Sequence, residues 1–357
     1  MTEWKEYKLG EIATFGNGKV RPQKQGDIPI YGGNGILGYC DEYNYCGETI
    51  IVGRVGAYCG SVYYENRPIW VSDNALALKP KNNYNTKFIY YLLKKYNLNE
   101  YAEGSSHPLV TQTLLNAIEI IFTDDIEEQI RIASILSSLD DKIDLLHREN
   151  KTLETMAETL FRQWFIEEAK EDWKEGKLGD EFEFIMGQSP SGESFNEEGV
   201  GIPMYQGNAD FGFRFPTRRV FTTQPTRFAE INDTLISVRA PVGAQNMATE
   251  KCCIGRGVAA FRYKDNSSFY SYTYYKLKSL LDDIKQYNDN GTVFGSISKS
   301  DFENIDIMIP DKDTILNFQK QVKPIDDKII NNNYEIQTLI QQRDSLLPKL
   351  MSNEINI

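Results

Sequence analysis

The stretch IASILSSLDDKIDLLHRENKTLETMAETLFRQW, residues 132–164, has apolar side chains at alternating steps of four and three residues, from Ile132 to Trp164. This spacing predicts a long helix with the seam of a coiled coil. A second seam with the same spacing runs from Val322 to Leu350. The central seam positions are Leu139, Ile143, Leu146, Asn150 and Leu153 in the first helix, and Ile325, Ile329, Asn332, Ile336 and Leu339 in the second.

An antiparallel alignment of the two seams places Asn150 opposite Asn332, and nearly all of the remaining layers are then apolar. A parallel alignment instead places Asn150 against Ile336. A buried asparagine pair lowers stability but fixes register and orientation. We therefore expect the helices to pair antiparallel with the two asparagines in contact. Pro324 lies near the start of the second helix, where a proline is tolerated if it belongs to the first turn.

The length of the helices suggests a role in spacing. At ~1.5 Å per residue, a helix of about 33 residues spans about 50 Å, which is on the order of one and a half turns of DNA. An antiparallel pair of this length is expected to hold two similar domains at its opposite ends, related by a pseudo-two-fold axis. Taken alone, the helices are more typical of a plain dimerisation or scaffold coil than of a DNA-spacing device.

The rest of the chain is an internal repeat. Six matches occur in the same order in both halves, and collinear matches of this length indicate a domain duplication. They pair WKEYKLG at 4–10 with WKEGKLG at 173–179, IPIYGGN at 28–34 with IPMYQGN at 202–208, TIIVGR at 49–54 with TLISVR at 234–239, VGA at 55–57 with VGA at 242–244, IEI at 118–120 with IDI at 305–307, and DDKI at 140–143 with DDKI at 326–329.

Each repeat contains short runs of β-forming residues broken by Gly, Pro and Asn, and one helix. Strands are predicted at 50–52, 75–78, 235–238 and 258–261, and helices at 87–96 and 269–285. The predicted fold class is α+β, with two similar α/β domains separated by two long antiparallel coiled-coil helices in a pseudo-two-fold arrangement. The predicted boundaries are 1–125 for the first domain, 126–168 for the first spacer helix, 169–312 for the second domain and 313–357 for the second spacer helix.

The composition is that of an ordinary globular protein: 357 residues, 41% hydrophobic and 25% charged. No apolar run approaches the roughly 18 residues of a membrane span, and the start MTEWK lacks the features of a signal peptide, so a cytoplasmic location is expected. Five cysteines without a CxxC pair and only two histidines argue against a disulfide framework or a metal site. The net charge is −12, but residues 200–264 carry nine Lys/Arg and four Asp/Glu, a local basic surface suited to phosphate.

The ordered motifs resemble those of the specificity (S) subunit of type I restriction–modification systems over essentially the whole chain. The resemblance rests on the repeated Trp-Lys-x-x-Lys-Leu-Gly start, the strand and Arg/Gly turn at 49–56 and 234–243, and the late Gly-Ser/Thr loop at 104–106 and 291–292. It also rests on Glu128-Gln129-x-x-Ile132-Ala133 at the start of the first long helix and on LLPKLM at 346–351. The start of the second helix, Asn317-Phe318-Gln319, departs from the Glu-Gln pattern.

This resemblance implies two target recognition domains that each read one half of a split target in double-stranded DNA. It implies that the helices act as spacer and as docking surface for two modification (M) subunits, to which restriction (R) subunits are added. S-adenosylmethionine is then bound by M, and ATP and Mg by R. No cofactor, metal, catalytic residue or membrane partner is expected in this chain, which is taken as a non-catalytic subunit of an adenine-N6 DNA methyltransferase and restriction complex.

The sequence itself contains no motif for that chemistry. No two prolines are adjacent, so the Asn/Asp-Pro-Pro-aromatic motif of adenine methyltransferases is missing. The segment Gly16-Asn17-Gly18-Lys19-Val20 has Val20 where a P-loop needs Ser or Thr. We interpret it as a turn with a basic rim.

Candidate DNA contacts are Arg, Lys, Asn, Gln and small hydroxyl side chains on loops, because these present donors and acceptors to base edges. For any single arginine a phosphate contact or surface ion pair is the commoner role. Arg54 and Arg239 are the best candidates, because the match of residues 49–54 with 234–239 places them at equivalent turns. The candidates are Arg21, Gln23, Lys24, Asn34, Arg54, Ser106 and His107 in the first domain, and Gln188, Gln206, Asn208, Arg214, Arg218, Arg219, Arg239, Arg256 and Thr292 in the second.

Two alternatives remain open at this point. The chain could be a coiled-coil adaptor that bridges proteins without direct DNA readout, or an inactive fragment of a fused restriction–methylation enzyme. The DNA target sequence and the gap between its halves do not follow from one sequence, because base readout depends on loop geometry.

Overall fold

The computed structural model describes residues 4–104, 108–289 and 296–355. The chain forms two compact units, which we call unit 1 (Met1–His147 with Asn333–Ile357) and unit 2 (Arg148–Asn332). Each unit contains one recognition domain and about half of each long helix. The division falls within the helices because each half-helix shares a hydrophobic core with its recognition domain, whereas the sequence boundaries at 125/126, 168/169 and 312/313 separate helix from domain.

Among the described residues, unit 1 contains nine strands and three short α-helices before the first long helix, α4, which spans Ile126–Arg162. The strands are β1 Trp4–Lys8, β2 Ala13–Asn17, β3 Ile28–Gly32, β4 Gly35–Cys40, β5 Thr49–Gly53, β6 Val62–Glu65, β7 Trp70–Val71, β8 Ala75–Pro80 and β9 Glu119–Thr123, and the helices are α1 Leu9–Ile12, α2 Thr86–Lys95 and α3 Gln112–Ala117. They form a four-stranded sheet (β2-β8-β5-β6), a three-stranded sheet (β4-β3-β7) and a two-stranded pair (β1-β9).

Unit 2 repeats this plan within the described residues. Its strands are β10 Lys174–Lys177, β11 Phe182–Met186, β12 Phe195–Asn196, β13 Ile202–Tyr205, β14 Val220–Thr222, β15 Phe228–Ala229, β16 Thr234–Ser237, β17 Gln245–Met247, β18 Cys252–Ile254, β19 Val258–Tyr263 and β20 Asp306–Ile309. Its helices are α5 Leu178–Glu181, α6 Tyr270–Ser279, α7 Leu281–Asp289 and α8 Lys299–Glu303, and the long helix α9 spans Lys312–Leu350. The helix predicted at 269–285 is thus divided into α6 and α7.

Two of the sheets correspond strand by strand between the units, whereas the third has three strands in unit 1 (β4-β3-β7) and five in unit 2 (β12-β14-β13-β18-β15). The order β2-β8-β5-β6 in unit 1 matches β11-β19-β16-β17 in unit 2, and the two-stranded pair β1-β9 matches β10-β20. In each unit one parallel pair, β3 with β7 or β13 with β18, lies inside an otherwise antiparallel sheet. The predicted duplication and the α+β fold class are therefore confirmed.

The repeated Trp-Lys motif has a structural role in each unit. The indole N–H of Trp4 donates to Glu128 Oε1 at 3.3 Å, and that of Trp173 donates to Asp311 Oδ2 at 3.2 Å. Glu128 lies in the first turn of α4, and Asp311 directly precedes α9. The motif therefore joins the start of each recognition domain to the start of the long helix that follows it.

Glutamine side chains make a second, similar connection. Gln129 Oε1 accepts the backbone N–H of Asn85, the residue before α2. Gln319 Oε1 accepts the backbone N–H groups of Ser271 and Tyr272, in the first turn of α6. The start of α9 lacks the Glu-Gln pair of α4, but Gln319 satisfies two N–H groups in the first turn of α6 that have no partner within that helix.

Within unit 2 the two long helices run antiparallel. Asn332 Nδ2 donates to Asn150 Oδ1 at 2.8 Å, and both side chains are buried. Four residues after Asn150 and six before Asn332, Glu154 of α4 and Asp326 of α9 both contact Arg214. Residue numbers therefore increase along α4 in the direction in which they decrease along α9. On the unit 2 side of the asparagine layer, apolar seam residues of both helices belong to one core: Leu153, Ala157, Leu160, Val322, Ile325 and Ile329.

Within unit 1 the remaining halves of the helices are also antiparallel. Arg343 Nη1 of α9 donates to Asp140 Oδ1 of α4 at 2.8 Å. Ile143, Leu146 and Ile336 form a buried cluster, against which Leu339 packs. Arg343 is a seam position, and its pairing with Asp140 explains why a cation is tolerated there.

Pro324 does not lie in the first turn of its helix. The structure begins α9 at Lys312, so Pro324 is an interior residue. Its ring removes one backbone N–H and leaves the carbonyl of Lys320 without its usual partner. Both residues are exposed, so water can satisfy that carbonyl.

Candidate nucleic-acid interface

A small polar cleft in unit 2 brings together residues from four separate loops. The parallel pairing of β13 with β18 aligns Tyr205 with Ile254 and so places Gln206 beside the segment 255–257. The cleft has a volume of about 150 Å³. We call it the Arg239 cleft, and it is lined by Ser189, Gln206, Gly207, Asn208, Arg239, Ala240, Arg256 and Gly257.

The floor of the cleft depends on a close approach of two backbones. A Cβ at Gly257 would collide with the carbonyl oxygen of Gln206, so only glycine fits there. The backbone N–H of Arg256 donates to Ser189 Oγ at 3.2 Å, which fixes the loop that presents the Arg256 side chain. The side chains above this floor are therefore held on a rigid frame.

The guanidinium groups of Arg239 and Arg256 are available to a ligand. Both residues are exposed, and no acidic side chain pairs with either one in the part of the chain that the structure describes. Gln206 and Asn208 are also exposed at the same cleft. Two guanidiniums and two amides on one rim can donate to and accept from base edges or phosphates. The structure thus brings together four of the residues predicted from the sequence, and adds Ser189, which follows the predicted Gln188.

The matching positions in unit 1 follow from backbone hydrogen bonds. The N–H of Val238 donates to Gly257 O in unit 2, and the N–H of Arg54 donates to Asn74 O in unit 1. The two hydrogen bonds occupy the same position in their corresponding sheets. Arg239 bridges to Ser296, and Val55 bridges to Leu109. Arg54 therefore corresponds to Val238, and Arg239 corresponds to Val55.

The predicted equivalence of Arg54 and Arg239 is thus wrong by one residue. The sequence match aligned Thr49 with Thr234, whereas the strand pairing places Ile50 at the position of Thr234. Arg54 is half-buried, and its Nε has no hydrogen-bond partner among the described residues. Arg239 is exposed at the cleft, and so the two arginines do not share a role.

Arg214 is not available to DNA, which corrects its place among the candidates. Its side chain is only 2% exposed. Nη2 donates to Asp326 Oδ1 at 2.8 Å, Nη1 to Glu154 Oε1 at 3.3 Å, and Cζ lies 3.3 Å from the ring centroid of Tyr274. Arg214 therefore fastens the second recognition domain to both long helices.

The other described candidates lie on exposed loops outside the Arg239 cleft. Arg218 pairs with Glu250 and Arg219 with Asp210, and the hydrogen bond that Arg219 donates to Asp210 raises the pKa of Arg219. In unit 1 Lys24 pairs with Asp41 at 2.5 Å. The structure leaves Arg21, Gln23, Asn34 and Gln188 exposed.

Three predicted contacts lie outside the described residues. They are Ser106, His107 and Thr292.

Each unit also carries a groove on its long helices. The groove of unit 2 has a volume of about 760 Å³ and an apolar wall that includes Met156, Leu160 and Ile325. That of unit 1 has a volume of about 450 Å³ and is lined by Thr338, Gln341, Gln342, Ser345 and Leu346. Met156 is 50% exposed, unusual for a large apolar side chain at the centre of a groove.

In the described residues no helix is long and apolar enough to span a membrane. The same residues contain no group of three or more His, Cys, Asp or Glu arranged to hold a metal ion.

Comparison with known proteins defines the class. The type I restriction modification DNA specificity domain matches residues 1–155 and again residues 170–343. The chain therefore belongs to the family of type I restriction–modification DNA specificity domains. Its role is DNA sequence specificity rather than that of an adaptor without DNA readout.

Individual relatives agree with this assignment. The putative type I restriction enzyme MjaX specificity subunit of Methanocaldococcus jannaschii is 31% identical over 95% of this chain and 83% of its own length. The MjaIX specificity subunit of the same organism is 25% identical over 99% of this chain and 94% of its own length. The crystal structure of the type I restriction–modification S subunit from M. genitalium has a TM-score of 0.65 at 22% identity, covering 98% of this chain and 96% of that chain, which shows the same fold.

Proposed function

We propose that each recognition domain of this chain reads one half of a split target in double-stranded DNA. The observation that carries this proposal is the Arg239 cleft, where Gln206, Asn208, Arg239 and Arg256 converge from loops distant in sequence. Donors and acceptors on a rigid frame are what base readout in the major groove requires. The duplicated scaffold places a second set of loops at the matching positions of unit 1.

The chain performs this recognition on behalf of partner subunits. In our proposal two M subunits dock on the long helices, and R subunits join through that complex. The two grooves support this, because each unit offers one and the groove of unit 2 exposes apolar side chains that a partner helix could cover. S-adenosylmethionine is then bound by M, and ATP and Mg by R, so the methylation and cleavage chemistry lies outside this chain.

A mobility-shift selection tests the function. The chain is assembled with its M subunits and incubated with random duplex libraries at fixed salt, because phosphate contacts make affinity strongly salt-dependent. Bound duplexes enriched in two half-motifs with a fixed gap support the proposal. No sequence enrichment by intact complexes contradicts it.

The docking surface needs its own test. Met156→Glu places a charge in the groove of unit 2, and Asn331→Glu, at an exposed position of α9 in the same unit that does not line the groove, serves as a matched charge control. We expect Met156→Glu to weaken assembly with M, measured by sedimentation, far more than Asn331→Glu. Equal assembly by both variants contradicts docking at this groove.

A further inference from the structure

We propose that the second recognition domain reads guanine through Arg239 and Arg256, whereas the first reads its half-site without a guanidinium at the matching positions and contacts thymine methyl groups instead. This inference rests on the proposed function and names the bases that it selects.

The comparison is exact in register because both domains use the same backbone hydrogen bonds. The N–H of Gln188 donates to Ile254 O, and that of Lys19 donates to Val71 O, so Ser189 corresponds to Val20. Tyr205 aligns with Ile254, and Tyr31 with Val71, so Arg256 corresponds to Asp73. The cleft positions Ser189, Gln206, Asn208, Arg239 and Arg256 thus correspond to Val20, Gly32, Asn34, Val55 and Asp73.

The chemistry of the second domain favours guanine. An arginine can donate two parallel hydrogen bonds to O6 and N7 of guanine. Arg239 and Arg256 are exposed and have no acidic partner in the described residues, unlike Arg219, which Asp210 holds. Both therefore keep their donors for a ligand. Gln206 and Asn208 add an amide rim that suits a neighbouring adenine.

The chemistry of the first domain opposes guanine at the same place. Asp73 is exposed, and its carboxylate repels the two acceptors that guanine presents in the major groove. Val20 is 78% exposed and Val55 38% exposed, although valine is usually buried. Apolar side chains at a base-reading surface contact the C5 methyl group of thymine. Asn34 is the one amide kept at its matching position, and it suits adenine.

Base analogues in a selected target provide the test. Complexes of the full chain with its M subunits select a target from random duplexes, and affinity is then measured at fixed salt. In one set of duplexes 7-deazaguanine, which lacks the N7 acceptor, replaces guanine in each half in turn. In another set uracil, which lacks the methyl group, replaces thymine in each half.

Three variants complete the design. Arg239→Ala and Arg256→Ala remove the cleft guanidiniums, and Arg227→Ala removes an exposed arginine of the same domain outside the cleft. All three side chains are exposed, so thermal unfolding is expected to match that of the unmodified chain. That measurement separates a loss of recognition from a loss of folding.

We expect 7-deazaguanine in one half-site to weaken binding of the unmodified chain by about 5- to 150-fold, the range of one good bidentate contact. The same substitution has little effect on Arg239→Ala or Arg256→Ala at the base that each contacts. Uracil weakens binding in the other half-site. Uniform weakening by both variants with every base preference retained, as a phosphate contact gives, overturns the inference while the split target stands. If the unmodified complex selects no motif, the proposed function itself fails.

Discussion

Arg214 illustrates how the fate of a single arginine depends on tertiary structure. Its guanidinium lies between Glu154 and Asp326 and over the ring of Tyr274. Nothing local in the sequence separates it from the exposed Arg218, four residues later, because its burial is decided by carboxylates on two helices far away in the chain. Composition could predict a basic region, but not which arginine points inward.

Removing the Arg214 side chain should destabilise unit 2. Arg214→Ala leaves the buried carboxylate of Asp326 without its cation and leaves Glu154 with Lys278 alone, and breaking a buried ion pair in this way typically costs about 3–5 kcal/mol. We expect this loss in urea denaturation followed by tyrosine and tryptophan fluorescence, and almost none for exposed Arg227→Ala. A stability loss no larger than that of the control would show that the buried cluster is not what fastens the domain.

Glu181 offers a pH-dependent test at the same scale. Burial raises the pKa of Glu181 from its ordinary 4.5 to about 7, with Lys276 and the hydroxyl of Tyr272 opposing the shift. The matching residue in unit 1 is Ile12, because Lys264 and Lys81 donate their backbone N–H groups to the carbonyls of Glu181 and Ile12 respectively. In unit 2 the carboxyl group of Glu181 therefore occupies a position that is apolar in unit 1.

The direction in which stability changes with pH follows from the raised pKa of Glu181. The folded state prefers protonated Glu181, so its contribution is fully favourable below pH 4.5 and is lost as pH rises through about 7. Relative to Glu181→Gln, the unmodified chain should lose about 3 kcal/mol of unfolding free energy between pH 4.5 and 8. Urea denaturation across this range measures it, with exposed Glu183→Gln as control. Parallel stability curves for the chain and Glu181→Gln would contradict the assignment.

At the scale of the elements, replacing one asparagine of the Asn150–Asn332 layer is expected to lower stability more than replacing both. Asn332 Nδ2 donates to Asn150 Oδ1, while Asn332 Oδ1 is buried without a partner among the described residues. Asn332 Nδ2 also donates to Glu149 Oε2 at 2.9 Å, so Asn150→Leu leaves Asn332 one partner, whereas Asn332→Leu leaves the buried Asn150 without its partner on the other helix. Leaving a buried polar group unpaired typically costs about 1–3 kcal/mol, whereas replacing both asparagines by apolar groups is nearly neutral or stabilising.

A double-mutant cycle tests this layer. Asn332→Leu and Asn150→Leu should each lower the unfolding free energy, and the double variant should recover it or exceed that of the unmodified chain. Chemical denaturation of the four proteins gives the coupling energy. Additive losses in the double variant would mean that the two asparagines do not stabilise each other.

The elements were the part that the sequence predicted best. The period of the seam predicted both long helices, since apolar side chains at steps of four and three can be buried on one face only. The alignment of Asn150 with Asn332 predicted their antiparallel pairing, which the contact between the two asparagines confirms. Strands at 50–52 and 75–78 lie inside β5 and β8. The interior position of Pro324 escaped prediction because the solvent-facing side of a helix tolerates a lost hydrogen bond.

The candidate site was predictable in residue type but not in arrangement. Gln206, Asn208, Arg239 and Arg256 were all candidates, yet only the parallel pairing of β13 with β18 shows that they share a cleft. The one-residue error at Arg54 has the same origin, because strand register is set by long-range hydrogen bonds and not by the apolar pattern alone.

At the scale of the whole molecule, α4 is the covalent connection from the first recognition domain to the second. If the helices set the gap between half-sites, deleting 147–153 and 329–335 together removes one heptad from each seam. The gap should then shorten by about 10 Å, or about 3 base pairs. Selection from random duplexes by the assembled complex measures this, and unchanged half-motifs serve as the internal control. An unchanged gap would rule out the ruler role of the helices.

The central claim is that this chain gives a restriction–modification complex its split DNA specificity. The most direct measurement is a base-resolution map of N6-methyladenine on DNA incubated with the complex of this chain, its M subunits and S-adenosylmethionine. The account predicts methylation at one motif of two half-sites separated by a constant gap. It also predicts that Arg239→Ala and Arg256→Ala relax the sequence of one half-site only. Methylation that ignores sequence, or a single continuous motif that both variants leave intact, would contradict the account.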